Sequence, residues 1–169
     1  YAGGNFSNIG GQPRNYLASF NTSTGDLNSW PLDETDGEIY TLAVNGGKVY
    51  IGGSFSMVGS EYRYNIAAID ETTGSVTTWS PDTDGSVNTI LINGGIAYVG
   101  GSFTLLGGTT RNNIGAVNTS SNFATSWNPN ADGLVYALAL SGTTIYVGGE
   151  FSTIGGASRD GGIAALSLS

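Results

Sequence analysis

The 169-residue chain has no cysteine and no histidine, and only five Lys and Arg side chains against 13 acidic ones, for a net charge of -8. Each shortage removes a class of function. Without Cys or His, neither the usual acyl-transfer dyads nor an imidazole metal site can be assembled. Without clustered Lys and Arg there is nothing to neutralise a phosphate backbone, so nucleic acid is not an expected partner. Missing disulfides leave the compartment open on redox grounds. Apolar runs stay below the roughly 18 residues that a membrane-spanning helix needs. Lys, Glu and Gln are scarce and no window shows a 3.6-residue apolar period, so essentially no helix is expected.

What is present is repetition. The run Tyr98 to Gly108, YVGGSFTLLGG, also occurs as YAGGNFSNIGG from Tyr1, YIGGSFSMVGS from Tyr50 and YVGGEFSTIGG from Tyr146, with starts 49, 48 and 48 residues apart. The units therefore span 1–49, 50–97, 98–145 and a partial 146–169. Each full unit reads as four short strands, here a to d. In the third these are 87–92 (VNTILI), 96–103 (IAYVGGSF), 112–117 (NNIGAV) and 124–127 (ATSW). Asn45-Gly46-Gly47 and Asn93-Gly94-Gly95 mark a–b hairpins, because Asn-Gly accepts the positive φ of a type I′ turn. The stretches 21–25 (NTSTG) and 70–74 (DETTG) mark Asx-type turns between c and d. Strand a is apolar on nearly every residue, so it must be covered on both faces. Four strands per 48 residues in tandem imply an all-β fold of stacked four-stranded antiparallel propeller blades, about 3.5 repeats in all. Both ends fall inside a repeat, so the expectation is a propeller that is longer or is completed by other chains.

The Y-x-G-G-x-F run, the Gly pair after it, the Arg before strand c and the W-x-P-x-x-D-G segment of Trp127 to Gly133 resemble the bacterial β-propeller repeats of the delta-60 type. They are similar, more distantly, to the kelch-like repeats of fungal cortical polarity markers. The resemblance covers the whole chain and implies a secreted or surface protein with scaffolding and binding roles. The fourth unit departs from the pattern by one extra residue, within Asp160-Gly161-Gly162.

The rare residues fall into register. All four arginines, Arg14, Arg63, Arg111 and Arg159, share one repeat position, and all three tryptophans, Trp30, Trp79 and Trp127, share another. A third set is Asp36, Asp84 and Asp132, each followed by Gly just before strand a. The blade plan puts the three sets near one face of the ring. As structural elements they would form one Arg–Asp ion pair per blade over a packed Trp. As ligand sites they would stack a sugar on indole and bond its hydroxyls through guanidinium. The strand-embedded Gly pairs lack a following helix and a lysine, so they read as bulges or close blade contacts and not as phosphate loops. The acidic stretches 33–37 and 82–85 lack the distal ligand of a calcium loop and read as turns. Asn5, Asn21 and Asn118 stand in N-x-S/T sequons. Glu38, Glu61, Glu71, Glu150 and Asp160 share no repeat position, so no carboxylate pair for hydrolysis is legible. No catalytic residue, cofactor or metal is expected. The functional expectation is a non-enzymatic, extracellular or cell-surface module that binds proteins or itself through open blade edges at 1–6 and 163–169. A glycan-binding propeller is the alternative.

Overall fold

A computed structural model describes residues 1–29 and 34–168, and every regular element in it is a β-strand. The principal strands are β1 (Ala2–Gly3), β2 (Leu17–Ala18), β3 (Glu38–Asn45), β4 (Lys48–Ser54), β5 (Ile66–Asp70), β6 (Val87–Asn93), β7 (Ile96–Gly101), β8 (Ile114–Asn118), β9 (Val135–Ser141), β10 (Thr144–Gly149) and β11 (Ile163–Ser167). They form the pair β1–β2 and three antiparallel sheets ordered β3–β4–β5, β6–β7–β8 and β9–β10–β11. Among the described residues no helix is long and apolar enough to cross a membrane.

The a–b hairpins lie where the sequence puts them, one residue later than Asn-Gly implies. Asn45 pairs with Lys48 and Asn93 with Ile96, so the two-residue turns are Gly46-Gly47 and Gly94-Gly95, all four glycines at positive φ. The asparagines close the ladder. Between strands b and c the chain inserts a small hairpin not read from the sequence, Met57–Val58 with Glu61–Tyr62 in the second unit and Leu105–Leu106 with Thr109–Thr110 in the third.

Strand d is much reduced. It survives as the single bridges Phe20↔Leu27, Ile69↔Val76 and Val117↔Ala124, so the second and third sheets are three-stranded with a short fourth segment and not full four-stranded blades. Strand d keeps a few bonds to strand c, such as the Thr77 amide to the Ala68 carbonyl and the Thr125 amide to the Ala116 carbonyl, and beyond them its groups turn to side chains. The Thr77 carbonyl accepts from Arg63, and the Trp79 amide donates to the Thr77 hydroxyl; Thr125 repeats both bonds with Arg111 and Trp127. Local side-chain bonds of this kind compete directly with a ladder.

The sheets stack in chain order like propeller blades. Buried side chains fall into three clusters, one per junction between consecutive sheets. At the central junction Tyr50, Ile66, Ala68 and Trp79 from the front of one sheet meet Val87, Ile90, Val99, Phe103 and Leu106 on the back of the next. Burying each large aliphatic side chain there contributes about 1.5–3 kcal/mol. The Gly pairs make this approach possible. A Cβ on Gly100 would strike Val135 of the following sheet, and one on Gly101 would strike the Ser86 carbonyl across a bulge that shifts the register between Val87 and Thr89. Close approach and bulge are both realised, one per glycine.

Candidate functional site

The repeated Asp, Arg and Trp positions are resolved into three separate tasks. The Asp84 carboxylate accepts hydrogen bonds from the amides of Thr104 (2.7 Å) and Leu105 (2.8 Å) and from the Thr104 hydroxyl. Asp36 does the same with Ser56 and Met57, and Asp132 with Ser152 and Thr153. Each Asp thus fixes the entry of the inserted b–c hairpin. The glycine that follows it allows the crossing, since a Cβ on Gly85 would overlap the Ser102 carbonyl. Slight burial works to raise the Asp84 carboxyl, but the Thr104 hydroxyl and the two amides outweigh it and hold its pKa below the ordinary carboxylate value. Asp36 is lowered in the same balance, while at Asp132 the Ser152 hydroxyl is the leading cause and the value falls well below the usual range.

The arginines do not pair with these aspartates. Among the described residues the one ion pair is Arg63 with Glu61, at 3.8 Å. Each arginine donates from Nη1 to the carbonyl just before it, at 2.8 Å in Arg14, 2.7 Å in Arg63 and Arg111, and 2.9 Å in Arg159. Arg63 and Arg111 also donate from Nη2 to strand d, at Thr77 and Thr125. The expected ion pair gives way because Asp is already saturated by amide and hydroxyl donors nearer to it. The guanidinium is a brace across the sheet, with the Nε of Arg63 and of Arg111 buried and unpartnered among the described residues.

Trp30 lies outside the described residues. Trp79 is buried edge-to-face on Tyr50, with ring centroids 5.1 Å apart, and its Nε1 donates to the Asn118 carbonyl of the following sheet at 2.8 Å. Trp127 repeats the arrangement on Tyr98 at 5.0 Å, with its Nε1 donating to the Ser167 carbonyl at 2.9 Å. The indole is a plug between sheets. Shallow clefts of about 290 and 310 Å³ lie beside Trp79 and Trp127, but the buried face of Trp79 is occupied by protein.

One other repeat position is not legible in the sequence. Asn65 and Asn113 adopt positive φ just before strand c, and each donates from its side chain to a carbonyl at the d–a crossing, Thr83 or Ala131, at 3.0 Å. Tyr16 takes the same conformation in the first unit, and Gly162 does so in the fourth, where it keeps the bond from the Gly149 amide despite the extra residue. An asparagine before an apolar run is a usable signal for a left-handed residue; a tyrosine is not. Among the described residues no three acidic side chains converge as metal ligands. Asp82 accepts from the Ser80 hydroxyl and the Tyr64 amide, while Asp84 turns to Thr104.

Residues 1–29 match the family described as "Domain of unknown function (DUF5122) beta-propeller", which supports a propeller repeat here. No curated protein matches the sequence. Among solved structures, the computationally designed Ika8 protein is similar over 81% of this chain and 48% of its own, with a TM-score of 0.53 and 15% identity. The chain therefore spans about half of that protein, and the likeness is one of fold alone. The computationally designed Ika4 protein is similar over 82% of this chain and 96% of its own, with a TM-score of 0.38 and 15% identity.

Proposed function

We propose that this chain is a non-enzymatic interaction module of the delta-60 propeller kind, extracellular or on a cell surface, whose contacts are made by stacking sheet on sheet. The observation that carries this reading is the front of the last sheet. Tyr146 is 49% exposed where its repeat equivalent Tyr98 is 6% exposed, and Ile163 is 71% exposed where Ile114 is fully buried. Both positions are buried in the interface at the two preceding junctions, as Tyr50 with Ile66 and Tyr98 with Ile114, so a matching cover offers the back-type residues that cover those equivalents. A second copy of the chain offers them. Ala2, Phe6, Ile9 and Phe20 of the first sheet hold the positions of the buried Val99, Phe103, Leu106 and Val117, and are themselves only half-buried. Backbone edges offer further contact, because among the described residues β1 forms a sheet with β2 alone and β11 lies at the edge of its own sheet. Front-to-back contact is heterologous and yields rings or open polymers according to its rotation. Glycan binding through Arg and Trp has less support, since those side chains brace and plug the stack.

Light scattering over a concentration series tests the reading. A discrete multiple of 17.3 kDa, or a mass rising with concentration, is the expected result. A chain that stays monomeric up to millimolar concentration overturns it.

A further inference from the structure

One hairpin departs from the repeat in a way that the fold does not require. On either side of the repeated arginine, three units carry small or polar residues: Pro13 and Asn15, Thr110 and Asn112, Ser158 and Asp160. The second unit carries Tyr62 and Tyr64. The arginine makes the same bond to the preceding carbonyl in all four, so the backbone is built equally well without aromatic residues. The two tyrosines are 64% and 46% exposed, with rings 19° from parallel and centroids 6.3 Å apart. They are held at the backbone. The Tyr64 amide donates to Asp82 and its carbonyl accepts from the Thr83 amide, both at 3.1 Å.

Tyr64 also walls a pocket of about 360 Å³ with Asp36, Ser54, Phe55, Ser56 and Asn65. The equivalent pocket of the third unit, lined by Asp84, Ser102, Phe103, Thr104 and Asn113 with no counterpart of Tyr64, is about 250 Å³. Exposed, near-parallel rings beside a shallow cavity of hydroxyl, amide and carboxylate groups suit a ligand that is apolar on one face and hydroxylated at its rim. A cation is a poorer match, because the Asp36 carboxylate already accepts from the Ser56 amide and hydroxyl and the Met57 amide.

We propose that the Tyr62–Tyr64 pair and the Asp36–Ser56–Asn65 pocket form a single carbohydrate site, present in the second unit only. A pyranose lays its C–H face on the phenol rings and turns its hydroxyls to the Ser56 hydroxyl oxygen and the Asn65 side-chain oxygen, with the Asp36 carboxylate holding Ser56 in place. The site is separate from the sheet-stacking surface and stands or falls apart from it.

The test is a protein-observed NMR titration with the methyl glycosides of glucose, galactose, mannose and N-acetylglucosamine, each to roughly 50 mM, a range that reaches weak single-site affinities. It is repeated on the Tyr62→Thr, Tyr64→Asn double variant. These are the residues of the third unit, so the same backbone already tolerates them. At least one sugar is expected to shift signals from residues 36, 54–56 and 62–65, and the double variant is expected to weaken it about tenfold, the scale of losing aromatic contact. No shift with any sugar, undiminished binding in the variant, shifts centred on Trp79, or shifts with a proline-rich peptide in place of sugars would each overturn the site. None of these outcomes alters the mass in solution, which tests the stacking reading on its own.

Discussion

At the scale of single residues, the repeated aspartates turn a negative charge into a structural fastener. Each carboxylate in Asp36, Asp84 and Asp132 sits among two amides and a hydroxyl, and each has its pKa lowered in the fold. Asp70 is lowered too, chiefly by the Thr73 amide and hydroxyl. A pKa depressed by folding adds stability above the unfolded value, about 3.9, and loses it as pH falls through that value toward the folded one. The denaturation midpoint is therefore expected to be flat from about pH 7 to 5 and to drop below about pH 4. The triple variant Asp36→Asn, Asp84→Asn, Asp132→Asn keeps an acceptor oxygen at each site and removes the titration, so its acid limb should be shallower. Identical acid limbs in the two proteins would show that these bonds do not carry the pH dependence. The Asp-Gly position was legible in the sequence as a repeated turn. Its partner was not, because two of the three bonds come from backbone amides, which leave no residue signature. The same reason hid the arginine's partner, a strand-d carbonyl, behind a plausible but absent ion pair.

At the scale of elements, the sequence pattern located strands a, b and c well and strand d poorly. Apolar runs repeated in register and turn residues between them report the ladder of the first three strands, and Gly-Gly fixes the a–b hairpins. Strand d is cut short after Thr77 and Thr125, whose carbonyls accept from arginine and whose hydroxyls take the tryptophan amides, a competition that β-propensity does not register. Its tryptophan nonetheless joins one unit to the next by packing on a tyrosine and by an indole bond to the following sheet. Trp79→Phe keeps a ring against Tyr50 but leaves the Asn118 carbonyl without its indole donor at a part-buried site, at a cost of about 1–2 kcal/mol. Trp127→Phe should cost less, about 1 kcal/mol, since the half-buried site lets water reach the Ser167 carbonyl. Urea melts of the two variants check the ranking, and equal losses would mean that the indole bond is not what matters at the junction.

At the scale of the whole molecule, repetition makes each unit a control for the others. Ile66, Ile114 and Ile163 share one position, two of them buried under a following sheet and the third uncovered. Ile114→Ala should therefore cost about 2–5 kcal/mol as a core truncation. Ile163→Ser should change stability by less than about 0.5 kcal/mol, as an exposed substitution does, while reducing the mass increase with concentration. The net charge of -8 on each copy opposes association, so added salt should strengthen assembly by screening it. The stacking surface is then identified by three responses together: fold retained in Ile163→Ser, assembly lost, and wild-type assembly rising with salt. If Ile163→Ser assembles like the wild type, the front of the last sheet is not the contact, and association must run through the backbone edges of β1 and β11 alone.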